Sequence, residues 1–303
     1  MKPAWSVLLL TTLLGAGQGL FLALFAAERA GIAAPDLFLW GGVVSFGLLA
    51  AGLVASFFHL GRPERAWRSA AMWRTSWLSR EVIVLPAFMA SVFLWGFAHW
   101  LGLSTLWPGV AGVVLAVALF VCTGMIYACL KFLQEWHTPL TVINYAALGC
   151  ASGLTLVAAL AAALHPPLAP AYAAGALAAG AFAYLTRLAS LARNARLRPK
   201  STLATAIGVK HPKIAQIAQG AMGGSFNTRE FFHGRPREVV RAARWAFLAL
   251  VFPVPALFLL FAPYSTGMLF LSFTLQYVGL LAERWYFFAE ARHPQNLYYQ
   301  AIA

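Results

Sequence analysis

The chain is built from repeated apolar blocks of about 20 residues, the length at which a helix crosses roughly 30 Å of hydrocarbon. No water is available in that medium, so each block must satisfy its own backbone hydrogen bonds, which a helix does and an isolated strand does not. The ten-residue alternating segments of a membrane β-barrel do not occur. Composition agrees. The 303 residues are 61% hydrophobic and only 10% charged, with a mean hydropathy of +0.73, far from the roughly 45–50% and 25% of soluble domains. The expected fold is an all-α integral membrane protein, a single polytopic domain over residues 1–303.

Eight transmembrane helices are expected, at about 5–27, 38–58, 82–103, 107–131, 140–164, 169–191, 243–262 and 266–289. The first has a longer apolar run than a signal peptide and no clear small-residue cleavage site, so it is read as a retained span. Cys122, Cys129 and Cys150 sit inside apolar blocks without CxxC or ferredoxin-like spacing and are read as small core residues.

The basic residues are sorted by side. Lys2, the five arginines between helices 2 and 3, Lys131, the twelve from Arg187 to Arg244, and Arg284 and Arg292 fall on one side, leaving Arg29 alone on the other. The positive-inside rule then makes both termini and every long polar loop cytoplasmic, in a bacterial inner membrane. Most of this charge is explained as a topology signal beside anionic lipid. No nucleic-acid-binding motif accompanies it. The polar segment 192–240 is longer than topology needs, and with helical pieces in 200–219 and the turn-rich MGGSFNTREFFHGRP it reads as a docking surface for a soluble subunit. His233-Gly234-Arg235-Pro236 follows helix 6 as His59-Leu60-Gly61-Arg62-Pro63 follows helix 2, an echo that admits two related four-helix bundles.

Chemistry concentrates in HLGRPERAWRSAAMWRTSWLSRE, residues 59–81. His59 closes helix 2 and Glu81 opens helix 3, so both stand at the bilayer boundary, where a lipid-borne quinone and aqueous protons meet. Reducing or oxidising a quinone moves two electrons and two protons, which calls for partners at both ring oxygens and a group titrating near neutrality; a histidine and a partly buried carboxylate supply them. The structural alternative is a helix-capping His59 and a Glu81 paired with Arg80 or Arg62. Trp67 and Trp73 read as interfacial anchors, while Trp77, four residues before Glu81, is placed in the pocket with Ser79 and Arg80. Tyr127, near the cytoplasmic end of helix 4, is either a donor to a quinone carbonyl or an ordinary backbone-bonded tyrosine. Gln18, among the glycines of helix 1, is either pocket lining or interhelical glue.

A b-type haem needs histidine pairs inside the membrane. Of the seven histidines, His59, His137, His211, His233 and His293 fall at or beyond the basic boundary and His99 and His165 at the opposite one, so no pair forms and electrons are expected to pass directly between quinone and a partner. The other reading is a transporter or exporter of an anionic solute. It would place charges deep in the spans and helix-breaking pairs at mid-bilayer; the spans are almost free of charge, and Pro253 and Pro255 have no counterpart in the other half.

The run HLGRPERAWRS…SWLSRE, the eight-helix layout and the later MIYACLKFLQEW resemble the membrane anchor subunit of the dimethyl sulfoxide reductase family, more distantly the polysulfide reductase anchor. GSFNTREFFHG and AERWYFFAEARHPQNLYY are similar to the membrane subunit of cytoplasmic sulfite dehydrogenases within that group. The resemblance implies a haem-free, cluster-free anchor that binds menaquinone or ubiquinone and holds, on the cytoplasmic face, a four-cluster iron-sulfur subunit that in turn touches a molybdopterin catalytic subunit. It implies that the family's quinone-site histidine and glutamate are His59 and Glu81.

Reporter fusions after Lys2, within 200–220 and at Ala303 are expected to report the cytoplasm. A periplasmic signal from the middle fusion would overturn the charge-derived topology.

Overall fold

The helix ends are set by caps and turns that the apolar blocks themselves lack. The structure, a computed structural model, describes residues 1–58, 60–211, 213–215, 233–262 and 264–298, and these are all helical or irregular, with no strand. The long helices are α1 (Trp5–Arg29), α2 (Pro35–Phe57), α3 (Trp77–Leu101), α4 (Leu106–Ala128), α5 (Pro139–Leu164) and α6 (Ala169–Ala195). A short α7 (Leu203–Ile207) lies in the polar segment, followed by α8 (Arg237–Val251), α9 (Pro253–Phe261), α10 (Thr266–Glu290) and α11 (Gln295–Tyr298). The Ser76 side chain accepts from the backbone N–H of Ser79 to start α3, and Gly102, at φ +66°, ends it. Thr138 caps α5, with Pro139 in its first turn.

Seven spans, namely α1 to α6 and the α8–α9 pair, are long and apolar enough to cross a membrane. The eighth long helix, α10, is 25 residues long but buries Gln276, Glu283 and Arg284, and it is not among those seven. The block expected at 243–262 begins earlier and breaks at Phe252, because Pro253 has no N–H for the carbonyl one turn back and its ring crowds that carbonyl. The start of α3 also moves, from 82 to Trp77, so Glu81 lies one turn inside the helix rather than opening it. Cys122 is buried, Cys150 half-buried and Cys129 exposed at the end of α4, so the last is not a core residue.

The middle of the molecule is α5. In its apolar core 78% of residues are buried inside the protein, against 33% for α3 and 28% for α6. On one side α5 meets α1 through facing small-residue pairs four apart, Gly15 and Gly19 on α1 with Gly149 and Gly153 on α5. A Cβ on Gly19 would lie 2.2 Å from the Gly149 carbonyl oxygen, and one on Gly153 would lie 2.2 Å from the Gly19 carbonyl carbon. On the other side α5 packs on α6 and α10. Any division into two four-helix halves therefore runs through one shared central helix.

One end of the bundle gathers the starts of α1, α3 and α5 and the ends of α4, α6 and α10. The Met1 amino group donates to the Phe288 and Ala291 carbonyls at 3.0 Å each, Trp136 Nε1 donates to the Phe287 carbonyl at 3.0 Å, and Arg193 reaches the Gln134 carbonyl at 3.1 Å. Burial pushes the Met1 ammonium down to a pKa of about 6, against the pull of Glu135.

Gly153→Val is expected to force α1 and α5 apart and cost about 1–3 kcal/mol, read as an earlier thermal transition of the detergent-solubilised protein. An unchanged transition would show that the backbone contact is not needed.

Candidate functional site

Glu81 is 6% exposed, on the face of α3 turned to α4, and its carboxylate accepts a hydrogen bond from the Thr123 hydroxyl. It makes no ion pair with either arginine the sequence offers. Arg80 turns outward instead: its Nε and Nη2 donate to the carbonyls of Trp73 and Arg74 at 2.9 and 2.8 Å, and its guanidinium lies 4.2 Å over the Trp77 ring. Arg62 is exposed at the start of a 3₁₀ turn, Pro63–Ala70, that buries no residue. Among the described residues, then, Glu81 is a buried carboxyl with a hydroxyl partner and no cation, an expensive arrangement in a low dielectric.

One turn beyond Thr123 on the same helix is Tyr127, 9% exposed and within electrostatic range of Glu81. It stands at the centre of an aromatic box: Tyr145 stacks on it at 5.7 Å, and Trp136, Phe287 and Phe288 meet it edge-on at 5.2–5.5 Å. Two distant stretches, MIYACLKFLQEW and AERWYFFAE, are thereby packed together at the end of the bundle that holds Glu81.

The remaining expected residues divide. Ser79 is buried, and its backbone N–H, not its hydroxyl, takes part in the α3 cap. Trp77 is half-buried under Arg80. Trp67 and Trp73 are exposed, each with its own arginine, Arg68 or Arg74, 5.4 Å from the ring. Gln18 is not part of the group: its Nε2 donates to the Ala116 carbonyl at 2.9 Å, tying α1 to α4 two turns from Thr123, about 10 Å deeper. That hydrogen bond is the interhelical contact, one of the two alternatives the sequence left for Gln18. His59 lies outside the described residues; its neighbours Phe58 and Leu60 are exposed past the end of α2.

Residues 1–299 match the DMSO reductase anchor subunit (DmsC) family. The chain belongs to that family. It is 54% identical over 325 aligned residues, covering both chains completely, to a sulfite dehydrogenase subunit of Allochromatium vinosum. It is also 29% identical over 151 residues, 49% of this chain and 51% of the other, to the anaerobic dimethyl sulfoxide reductase chain YnfH of Escherichia coli K12. The protein is thus a multi-pass membrane anchor subunit of the DmsC family.

Two polar groups in this anchor subunit were not singled out from sequence. The first lies at the same end as Glu81. Arg187 of α6 and Arg284 of α10, both assigned by sequence to the basic side of the membrane, are 2% and 4% exposed and flank Glu283, with Nε to carboxylate distances of 2.8 and 3.5 Å. The Arg284 guanidinium lies 3.6 Å over the Tyr145 ring, and Asn144 donates to Ser190 Oγ at 2.8 Å beside it. Counting charge by side hid these residues, because they sit inside the helices; a charge within an apolar run was the available signal.

The second group is at the opposite end. Glu28, at the end of α1, accepts from Trp95 Nε1 at 2.9 Å and from the Thr105 hydroxyl, with Arg29 at 3.0 Å and His99 Nε2 at 3.6 Å. This latch joins α1, α3 and the start of α4 and gives Arg29 a carboxylate partner. Unlike Glu81, Glu28 is fully partnered. Glu28→Ala should cost roughly 1.5–3 kcal/mol by stranding the Trp95 and Thr105 donors, measured as a shift in the detergent melting curve; a superimposable curve would remove the latch from the account of stability.

Proposed function

We propose that this chain is the haem-free, quinone-reactive anchor of a molybdopterin oxidoreductase complex, passing electrons between an iron-sulfur subunit and membrane quinone. The carrying observation is Glu81, a buried carboxyl without a cation, one turn inside the basic end of the bundle and backed by Thr123 and Tyr127. A quinone head group fits that donor set, since it offers carbonyl oxygens to a protonated carboxyl or phenol and brings no charge that would need pairing. When bound, menaquinone or ubiquinone supplies the two-electron, two-proton chemistry.

The chain's own residues then have separable tasks. Glu81 holds and gives up a proton, Thr123 orients its carboxyl, and His59 is the second titrating partner in the reading carried by the sequence motif. Tyr127 is the nearest further hydroxyl on the α4 face. Direct electron transfer to the quinone suits the histidine positions, since His99 is engaged at the far end with Glu28. The similarity to a sulfite dehydrogenase subunit favours quinone reduction coupled to sulfite oxidation.

In this proposal α10 is the eighth span, both termini lie in the cytoplasm of a bacterium, and the four-cluster iron-sulfur subunit sits on that face. Arg65, Arg68 and Arg74 of loop 2–3, with the basic segment 192–240, receive it. Exposed arginines beside exposed tryptophans suit a protein partner, where Arg and Trp are frequent anchors. Membership of an oxidoreductase anchor family takes the ground from the anion-transport alternative.

The test assembles variants with their soluble subunits and compares quinone-linked with dye-linked activity. His59→Ala should lower the quinone-linked rate about 10²–10⁴-fold, and Glu81→Gln should keep quinone binding while turnover falls and loses its pH dependence. Dye-linked rates should hold in both, and Arg68→Ala should alter docking alone. Normal quinone-linked rates in both site variants would place the site elsewhere.

A further inference from the structure

The buried polar group around Glu283 encloses a cavity of about 10 Å³, lined among others by Asn144, Tyr145, Arg187, Glu283 and Arg284. That is the space of about one water molecule. Two polar atoms of its lining, Asn144 Oδ1 and Arg187 Nη2, have no protein partner, Glu283 Oε2 has only Arg284 Nε at 3.5 Å, and the Tyr145 hydroxyl meets Tyr127 and Arg284. Leaving the first two unpaired in a dry interior is costly, and one bound water with three or four polar neighbours removes most of that cost. The chamber also has a mouth and an inner end. Half-buried Glu135 and Asn194 line its outer side, with Glu290 beside Asn194. Tyr145 at its inner side stacks on Tyr127, which in turn neighbours Glu81.

We infer that this chamber is a hydrated proton relay, running from Glu135 and Glu290 through a bound water beside Glu283 and the Tyr145 and Tyr127 hydroxyls to Glu81; it rests on the quinone reading above. Reduction of one quinone takes two electrons, delivered by the iron-sulfur partner, and two protons. Each proton that leaves Glu81 for a quinone oxygen is replaced by a hop along the hydroxyls and the bound water, and a proton enters from solvent at the mouth. The relay therefore ends in its starting protonation state.

The charges permit this traffic. Glu135 and Glu283 balance Arg187 and Arg284 in its lining, Glu290 stands beside Asn194, and Arg193, Arg244 and the Met1 ammonium stand at its rim. Arg187 and Arg284 pair with Glu283, so these three hold the bound water in place, and the water and the hydroxyls carry the proton. Tyr127 and Tyr145 are needed because the aromatic box shuts out water between the chamber and Glu81.

Tyr145→Phe deletes the hydroxyl that meets Tyr127 and keeps the ring under Arg284, so it separates conduction from packing of the ring; Glu283→Gln weakens the hold on the bound water. In the assembled complex, each should lower the quinone-linked rate about tenfold and raise its solvent deuterium isotope effect. Dye-linked rates, and menadione binding read by tryptophan quenching, should be unchanged. Full quinone-linked rates with an unchanged isotope effect in both variants, while Glu81→Gln is impaired, would overturn the relay and leave the quinone site standing. A normal Glu81→Gln would remove the relay's end point and overturn the relay, and normal rates in His59→Ala as well would overturn the site reading.

Discussion

Everything at the basic end depends on how closely α1 and α5 approach. In a bilayer there is little hydrophobic drive between helices, so association rests on van der Waals contact and on the few polar bonds available. The glycines at 15, 19, 149 and 153 let the two backbones touch. That draws α5 into the centre, where it faces α1 and α4 on one flank and α6 and α10 on the other. Tyr145 and Asn144, near the start of α5, are thereby placed between Tyr127 of α4 and the Arg187–Glu283–Arg284 group of α6 and α10. Without that central position the aromatic box and the polar chamber would not share a wall.

The two ends of the bundle treat a buried carboxylate in opposite ways. Glu28 is surrounded by donors from three elements and has one cation, Arg29, as a group whose work is to hold helices together must be. Glu81 has a single hydroxyl donor and no cation, while the nearby Arg80 spends its donors on backbone carbonyls and its face on Trp77. A carboxyl kept free of a fixed counter-ion changes its proton occupancy at lower cost than one locked in an ion pair, which is what a proton-exchanging group requires. On the proposed reading, that difference separates a structural acid from a chemical one.

Much of the architecture was legible in the chain because lipid imposes it. Blocks of about 20 apolar residues can only be helices, and seven of the expected spans meet the requirements of length and apolarity. Ser76 as a cap, Pro139 at a helix start and Pro253 as a breaker act through local backbone chemistry, although the early start of α3 and the break at Phe252 were not drawn from them. The site was legible in part. Glu81 and Tyr127 stand on facing helices at one end, whereas Gln18 belongs to the mid-bilayer contact with Ala116.

The sequence by itself determined the helical class and the family, because each is written in local composition or in contiguous motifs. Only the tertiary structure decided which charges are buried together. Arg187 and Glu283 lie 96 positions apart, and nothing local says that one neutralises the other at 2.8 Å. The same holds for the choice of Thr123 over Arg80 as the partner of Glu81: a side chain on a helix reaches whatever the neighbouring helix presents, and that depends on the crossing of backbones set elsewhere, at the glycines of α1 and α5.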